Sequence, residues 1–129
     1  MEEQELGASA EDLVADVYVS KGWTVLGRNC RWREGELDLV VSRGEVVAFV
    51  EVRLRGIGAI VPPVETVGRP KRRKVASAAL LWVAEQERLL PRDFRFDVAS
   101  VYRGPTGTRV QITEDAFDLS DAGLSVAVV

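Results

Sequence analysis

A strand–turn–strand pattern between residues 37 and 52 places the strongest constraint on what this chain can fold into. Leu37–Val41 and Val46–Val52 are rich in β-branched residues, and the segment between them, Ser42-Arg43-Gly44-Glu45, has the composition of a hairpin turn. We expect Val41 to face Val46, which makes one side of the hairpin entirely apolar and directs that side at the core. The same register pairs Leu39 with Ala48 and Leu37 with Val50.

The other side of this hairpin is expected to gather acidic side chains at one end. In the expected register Glu36 lies opposite Glu51, and Asp38 lies diagonal to Glu51. Three carboxylates at this spacing repel one another unless a cation lies among them. Arg53 is one candidate for that cation, and Mg²⁺ or Mn²⁺ is another, because hard cations prefer clustered oxygen ligands. The alternative is a solvated sheet end held by salt bridges.

Helices and further strands are predicted on both sides of the hairpin. Apolar periodicity predicts a helix over Ala8–Lys21, with Ser9 as its N-cap and Gly22 as its stop. A second, longer helix is predicted over Lys71–Leu90, ended by Pro91. The remaining predictions are strands at Trp23–Asn29, Phe94–Val101 and Arg109–Thr113 and a loop at Arg55–Gly68.

The order of these elements, α-β-β-β-α-β with an edge strand last, predicts an α/β fold. A chain of 129 residues is expected to form one domain. We place its core over about residues 7–113 and an acidic, then apolar, tail over residues 114–129.

The chain has no histidine and a single cysteine, Cys30. This composition excludes imidazole catalysis, histidine-ligated zinc and an internal disulfide framework. Any chemistry must therefore come from carboxylates, basic side chains, hydroxyls or a metal held by oxygen ligands. The acidic start of the chain and its short apolar runs predict a cytoplasmic protein without a membrane span.

The net charge is −3, yet basic residues are concentrated in the middle of the chain. Between Arg53 and Lys74 there are seven bases and one acid, Glu65. Bases in the first turn of a helix oppose the helix dipole, so the run indicates a surface for phosphate groups, with a solvated helix face as the alternative. The residues expected to contact nucleic acid are Arg55, Arg69, Lys71, Arg72, Arg73 and Lys74.

Five short motifs carry a family resemblance. They are Gly7-Ala8-Ser9-Ala10-Glu11, Arg28-Asn29, Gly35-Glu36-Leu37-Asp38-Leu39, Phe49-Val50-Glu51-Val52-Arg53 and Arg95-Phe96-Asp97-Val98. In this order, over about residues 7–101, they resemble the YraN-type family of small bacterial proteins. That family is similar to Holliday-junction resolvases and to the PD-(D/E)xK nuclease superfamily. The resemblance implies a restriction-endonuclease-like fold, a mixed sheet flanked by helices in three layers.

The resemblance also implies a function, a metal-dependent endonuclease acting on DNA rather than RNA, including branched or damaged DNA. It places Asp38 and Glu51 as ligands of Mg²⁺ or Mn²⁺ and Glu11 as an outer acid of the same metal site. Glu36 and Arg53 complete the expected catalytic set. A resolvase-like activity would favour a homodimer.

Two positions depart from the family pattern. Ala10 replaces the usual second glycine, and Arg53 stands where the superfamily has lysine. An arginine stays protonated and offers only charge and hydrogen bonds. A non-catalytic module that binds nucleic acid or protein is therefore the alternative function, and a structural protein that interacts through its acidic ends is a third.

Overall fold

The structure, a computed structural model, describes residues 2–55, 68–86 and 93–119. These ranges form two helices and five strands in the order that the sequence predicts. The helices are α1 (Glu2–Ser20) and α2 (Arg69–Glu85), and the strands are β1 (Thr24–Trp32), β2 (Gly35–Arg43), β3 (Val46–Arg55), β4 (Asp93–Gly104) and β5 (Gly107–Phe117). The predicted loop over 56–67 and the last ten residues of the predicted tail lie outside the described residues. Helix α2 ends at Glu85 with Gln86 as its C-cap, earlier than the predicted end at Leu90.

The five strands form one mixed sheet in the order β1-β2-β3-β4-β5. Neighbouring strands are antiparallel except β3 and β4, which run parallel. Parallel neighbours need a crossover connection, and α2 lies in this one. Helix α1 packs on one face of the sheet and α2 on the other. This arrangement confirms the predicted three-layer α/β fold of the restriction-endonuclease-like type.

Both faces of the central strands are buried. Successive residues of β3 contribute in alternation to two apolar clusters, as the pleat of a strand requires. The cluster under α1 includes Leu39, Val41, Ala48 and Val50 of the sheet with Ala10, Val14 and Tyr18 of the helix. The cluster under α2 includes Val40, Val47 and Phe49 of the sheet with Val75, Ala79 and Trp82 of the helix.

Helix α1 begins earlier than predicted and ends where predicted. It starts at Glu2, so Ser9 lies inside the helix and the predicted N-cap is wrong. Glutamate and glutamine occupy positions 2–5, and both are good helix formers. Gly22 ends the helix with a φ of 90°, the left-handed conformation that glycine adopts without strain. In the described ranges, no helix is long and apolar enough to cross a membrane.

The turn between β2 and β3 is tighter than predicted. It consists of Gly44 and Glu45, and Gly44 has a φ of 60°, as two-residue hairpin turns require. Val41 therefore pairs with Ala48 instead of Val46, a shift of two residues. An even shift does not by itself move a side chain to the other face, but it changes which acids lie level with each other. The second predicted pair shifts in the same way, since Leu39 pairs with Val50 instead of Ala48.

The pleat of β2 is interrupted at Asp38. Leu37 packs on the α2 face and Leu39 on the α1 face, although residues two apart share a face in a regular strand. At the same level of β1, Asn29 has a φ of 50°, outside the range of regular strands. The prediction that Leu37 shares the apolar face of Val41 is therefore wrong, because the backbone turns at this point.

Strand β5 continues past the predicted Thr113 into the residues assigned to the tail. It ends at Phe117, whose buried ring stacks on Phe96 with 4.9 Å between the centroids. The acidic start of the predicted tail is thus part of the sheet.

Candidate functional site

Strands β2 and β3 part at Asp38, and the side chain of this residue closes the gap. Backbone pairing runs from the turn as far as Leu39 and Val50. Beyond that point, Oδ2 of Asp38 accepts a hydrogen bond of 2.9 Å from the backbone N–H of Val52. This carboxylate oxygen takes the place of the backbone carbonyl that β2 would supply if its pairing with β3 continued. The neighbouring strand thus fixes the orientation of Asp38.

Glu51 is the first residue of β3 beyond its pairing with β2, and its carboxyl group is buried. The side chain is only 4% exposed. Its Oε1 lies 3.6 Å from Nζ of Lys71 and 3.7 Å from Nε of Arg53. Its Oε2 is buried and has no hydrogen-bond partner among the described residues. When Glu51 is protonated, its carboxyl group can hydrogen-bond with the side chain of Asp38, and when it is ionised, a cation between the two carboxylates would stabilise it.

The electrostatics of the site favour an added positive charge. Burial raises the pKa of Glu51 from 4.5 to about 7, and the charge of Asp38 is the second cause. Lys71 and Arg53 act in the opposite direction. A carboxyl group with this pKa takes up a proton near neutral pH, and a metal cation would compete for the same position.

Glu36 does not lie opposite Glu51, so this part of the prediction is wrong. It pairs with Arg31 of β1, and its carboxylate lies 3.4 Å from Nε of Arg31. The cause is the tight β2–β3 turn, which brings Asp38 instead of Glu36 level with Glu51.

Glu11 approaches the pair from α1. Burial raises the pKa of Glu11, a hydrogen bond with the side chain of Asn29 counteracts this, and the charge of Asp38 adds to the rise. Across the described ranges, however, no three acidic or cysteine side chains come together closely enough to hold a metal ion. The residues that could hold a metal are therefore the two members of the Asp38–Glu51 pair.

Lys71 is the residue of this site whose position the sequence analysis missed. The basic run predicts phosphate binding for Lys71 at the start of α2, whereas its Nζ reaches Glu51. The helical spacing contains the signal, since Lys71 lies four residues before the buried Val75 and so shares its inward-facing stripe. The contact itself depends on how α2 docks on the sheet, which local spacing does not reveal.

The rest of the basic run lies around the start of α2. Gly68 precedes the helix without a side-chain cap, and the first turn has no acidic residue. Arg69, Arg73 and Lys74 are exposed, while Arg72 is half-buried with its guanidinium 5.7 Å from the ring centre of Phe117. Uncapped N–H groups and basic side chains therefore share one surface. Arg55, the remaining member of the predicted set, is half-buried at the end of β3.

The Arg95-Phe96-Asp97 motif has a structural explanation. Asp97 is fully buried and accepts hydrogen bonds from the Tyr18 hydroxyl at 2.6 Å and from the backbone N–H of Asp115 at 3.0 Å. Arg95 donates two more, at 2.8 and 3.0 Å. The motif therefore ties α1, β4 and β5 together and lies outside the Asp38–Glu51 pair.

Comparison with known proteins agrees with the motifs. The model of a family described as "Uncharacterised protein family UPF0102" matches residues 10–101. The chain is similar to a UPF0102 protein of Anaeromyxobacter dehalogenans (strain 2CP-C), with 44% identity over 115 residues that cover 89% of this chain and 85% of the relative. A UPF0102 protein of Nocardia farcinica (strain IFM 10152) is 42% identical over 105 residues, which cover 81% of each chain. With a family match over most of its length, the chain belongs to the UPF0102 family, the YraN-like family that its motifs resemble.

Proposed function

We propose that this protein is a metal-dependent DNA endonuclease that hydrolyses phosphodiester bonds, acting in the cytoplasm on branched or damaged DNA. One observation carries the proposal. Asp38 and Glu51 come together where two strands part, and a buried oxygen of Glu51 has no hydrogen-bond partner among the described residues. Such a donor set suits Mg²⁺ or Mn²⁺, which proteins commonly hold with one or two carboxylates while water and substrate phosphates supply the other ligands.

Each side chain of the site has a separate task in this proposal. A metal held by Asp38 and Glu51 would supply an activated water and neutralise negative charge on the phosphate. Asp38 is oriented by the Val52 N–H, and Glu51 offers its unpartnered Oε2. Arg53 stays protonated, so it binds phosphate oxygens and does not accept a proton. Lys71 lies beside Glu51, where its ammonium group can bind a phosphate oxygen.

The surface at the start of α2 supports DNA as the substrate. Exposed bases and uncapped helix N–H groups bind phosphates without regard to sequence. Lys71 connects this surface to Glu51, so a backbone that follows the basic run reaches the acids. Resolvase-like cutting of two strands would use two copies, which makes a homodimer the proposed active form.

A nucleic-acid or protein binding module without cleavage is the second candidate. It is favoured by the small number of acids in the site, since Glu36 pairs with Arg31 and the described residues bring no third carboxylate into a metal-binding group. In such a binding module, Arg53 and Lys71 would neutralise the acid pair in place of a metal ion.

Cleavage with and without metal distinguishes the two candidates. Wild-type protein is incubated with supercoiled plasmid and with a four-way junction in Mg²⁺, Mn²⁺ or EDTA. We expect cutting only with metal, and we expect Asp38→Asn to reduce the rate by at least about 100-fold. Calorimetry should show Mn²⁺ binding to wild type and none to Asp38→Asn.

The matched control is Asp12→Asn, which makes the same chemical change at an exposed residue of α1 that pairs with Arg28. It should cut and bind Mn²⁺ like wild type. Identical Mn²⁺ binding by wild type and Asp38→Asn, with no cleavage by either, would reject the nuclease and leave the binding module.

A further inference from the structure

A cavity beside the Asp38–Glu51 pair has the chemistry of a nucleotide site. Its volume is about 260 Å³, and it lies where the turn between β1 and β2 approaches the start of α2. It is lined by Arg31, Trp32, Gly35, Glu36, Lys71 and Lys74. Three of these residues are basic and one is acidic. Arg31 pairs with Glu36 and Lys71 lies near Glu51, yet the lining keeps a net positive charge that favours an anion.

The walls of this cavity are held in place before any ligand binds. The indole Nε1–H of Trp32 donates a hydrogen bond of 2.8 Å to Glu85 of α2. The backbone of Gly35 lies so close to α2 that a β-carbon there would overlap the carbonyl group of Lys74. A preformed site loses little conformational entropy on binding.

Lys71 is shared between the cavity and the acid pair. It lines the cavity, and its Nζ is also 3.6 Å from Oε1 of Glu51. A nucleotide in the cavity therefore lies one side chain away from the carboxylates. An aromatic wall with basic residues around it is the usual means of binding an unpaired base and its phosphate.

We propose that this cavity binds one unpaired nucleotide of a DNA strand, with the base against Trp32 and a phosphate between Lys71 and Lys74. The cavity is too small to admit duplex DNA, so the site selects DNA that has an unpaired nucleotide next to the bond presented to Glu51. This inference rests on the proposed function and names its substrate class, DNA with a flap or another unpaired end.

The test compares two fluorescent probes of the same sequence, a blunt duplex and a duplex with a short single-stranded flap, in EDTA so that neither is cut. Wild type should bind the flap probe roughly tenfold more tightly than the duplex, in line with the strength of one stacked base. With 2-aminopurine as the first unpaired base, binding should quench its fluorescence.

Paired variants separate stacking from loss of packing. Trp32→Leu and Trp32→Phe both lack the hydrogen bond to Glu85, but only the phenylalanine keeps an aromatic ring. We expect Trp32→Leu to abolish the preference for the flap and Trp32→Phe to retain most of it. Lys74→Gln, at an exposed position, should weaken flap binding more than duplex binding, whereas Arg33→Gln, an exposed residue outside the cavity lining, should leave the ratio unchanged.

Equal affinity of wild type for the two probes would overturn the inference, and so would a flap preference that survives both Trp32→Leu and Lys74→Gln. Because these measurements are made without cleavage, they are independent of the proposed enzyme activity. Preferential binding of the flap probe without any cleavage would reject the nuclease activity and support this site. Metal-dependent cleavage together with equal binding of the two probes would support the activity and reject the site.

Discussion

The carboxyl group of Glu51 is subject to opposing influences within a few ångströms. Burial and the charge of Asp38 disfavour its ionised form, while Lys71 and Arg53 stabilise it. The first two dominate, since the pKa is raised to about 7. Above about pH 7 in the absence of metal, the folded protein therefore holds a carboxylate that costs free energy, and this cost has a measurable pH dependence.

Glu51→Gln should stabilise the metal-free protein at high pH. Between pH 4.5 and about 7 the folded wild type binds more protons than the unfolded chain, so its free energy of unfolding falls as the pH rises through this window. The shift corresponds to at most about 3 kcal/mol. A neutral glutamine does not lower the free energy of unfolding in this way. We expect the variant to melt roughly 5 °C above wild type at pH 8 and close to wild type at pH 5, measured by circular dichroism in EDTA.

Glu34→Gln is the control for this comparison, because it removes an exposed acid from the turn between β1 and β2. Its melting temperature should follow that of wild type at both pH values. A Glu51→Gln variant less stable than wild type at pH 8 would contradict the expected conflict at Glu51.

The close packing of α2 on β2 depends on one glycine. Gly35 begins β2, and a β-carbon at this position would overlap the carbonyl of Lys74. The close approach sets the height of α2 above the sheet. It therefore also sets the distance from Lys71 to Glu51.

Gly35→Ala should lower the free energy of unfolding by about 1–3 kcal/mol, as overpacking against rigid backbone does. Urea unfolding measures the change. Gly104→Ala is the matched control, because a β-carbon there meets only ordinary contacts, the nearest at 3.7 Å, and we expect its effect to stay within about 0.5 kcal/mol. Equal stability of the two variants would show that α2 can move away from β2 without loss.

The elements themselves could be predicted because their signals are local. The apolar run of Val46–Val52 indicates a strand wherever it occurs, and the stripe that includes Val14 and Tyr18 indicates a helix. Asp38 and Glu51 were predicted to lie together for the same reason, since they belong to adjacent strands of one hairpin. Sequence reasoning thus found the centre of the candidate site.

What could not be predicted depends on geometry between elements. The two-residue turn at Gly44 shifts the register, and this moved Asp38 into the place expected for Glu36. The reach of Lys71 to Glu51 depends on the docking of α2, which follows from the packing of a whole helix face. Neither result is encoded in the spacing of residues along a single element.

Across the whole molecule, charge is distributed unevenly. The net charge is −3, yet the surface at the start of α2 presents Arg69, Arg73 and Lys74 to solvent. In the proposed complex with DNA, the acidic remainder of the protein would repel the polyanion and so favour one orientation of binding. Salt dependence of binding is the direct measure of this surface.

The double variant Arg69→Gln/Arg73→Gln should reduce the slope of log affinity against log salt concentration by roughly 2 for duplex DNA, because each lost phosphate contact contributes about 0.9. Fluorescence anisotropy at several salt concentrations measures the slope. Lys21→Gln/Arg109→Gln removes the same charge from exposed positions on α1's end and β5 and should leave the slope unchanged. The same slope in all three proteins would mean that the basic run is only a solvated helix face.

The crossover from β3 through α2 to β4 gives the site an order of assembly. Strands β1, β2 and β3 are neighbours along the chain as well as in the sheet, so their contacts close with little loop entropy and form early. Helix α2 follows β3 in the chain and packs mainly on β2, so it docks after the hairpin of β2 and β3 has formed. Asp38 and Glu51 therefore meet while Lys71 is still distant. On the ribosome, the acid pair remains without its lysine until α2 has been synthesised, so a growing chain that ends before α2 does not carry a complete site.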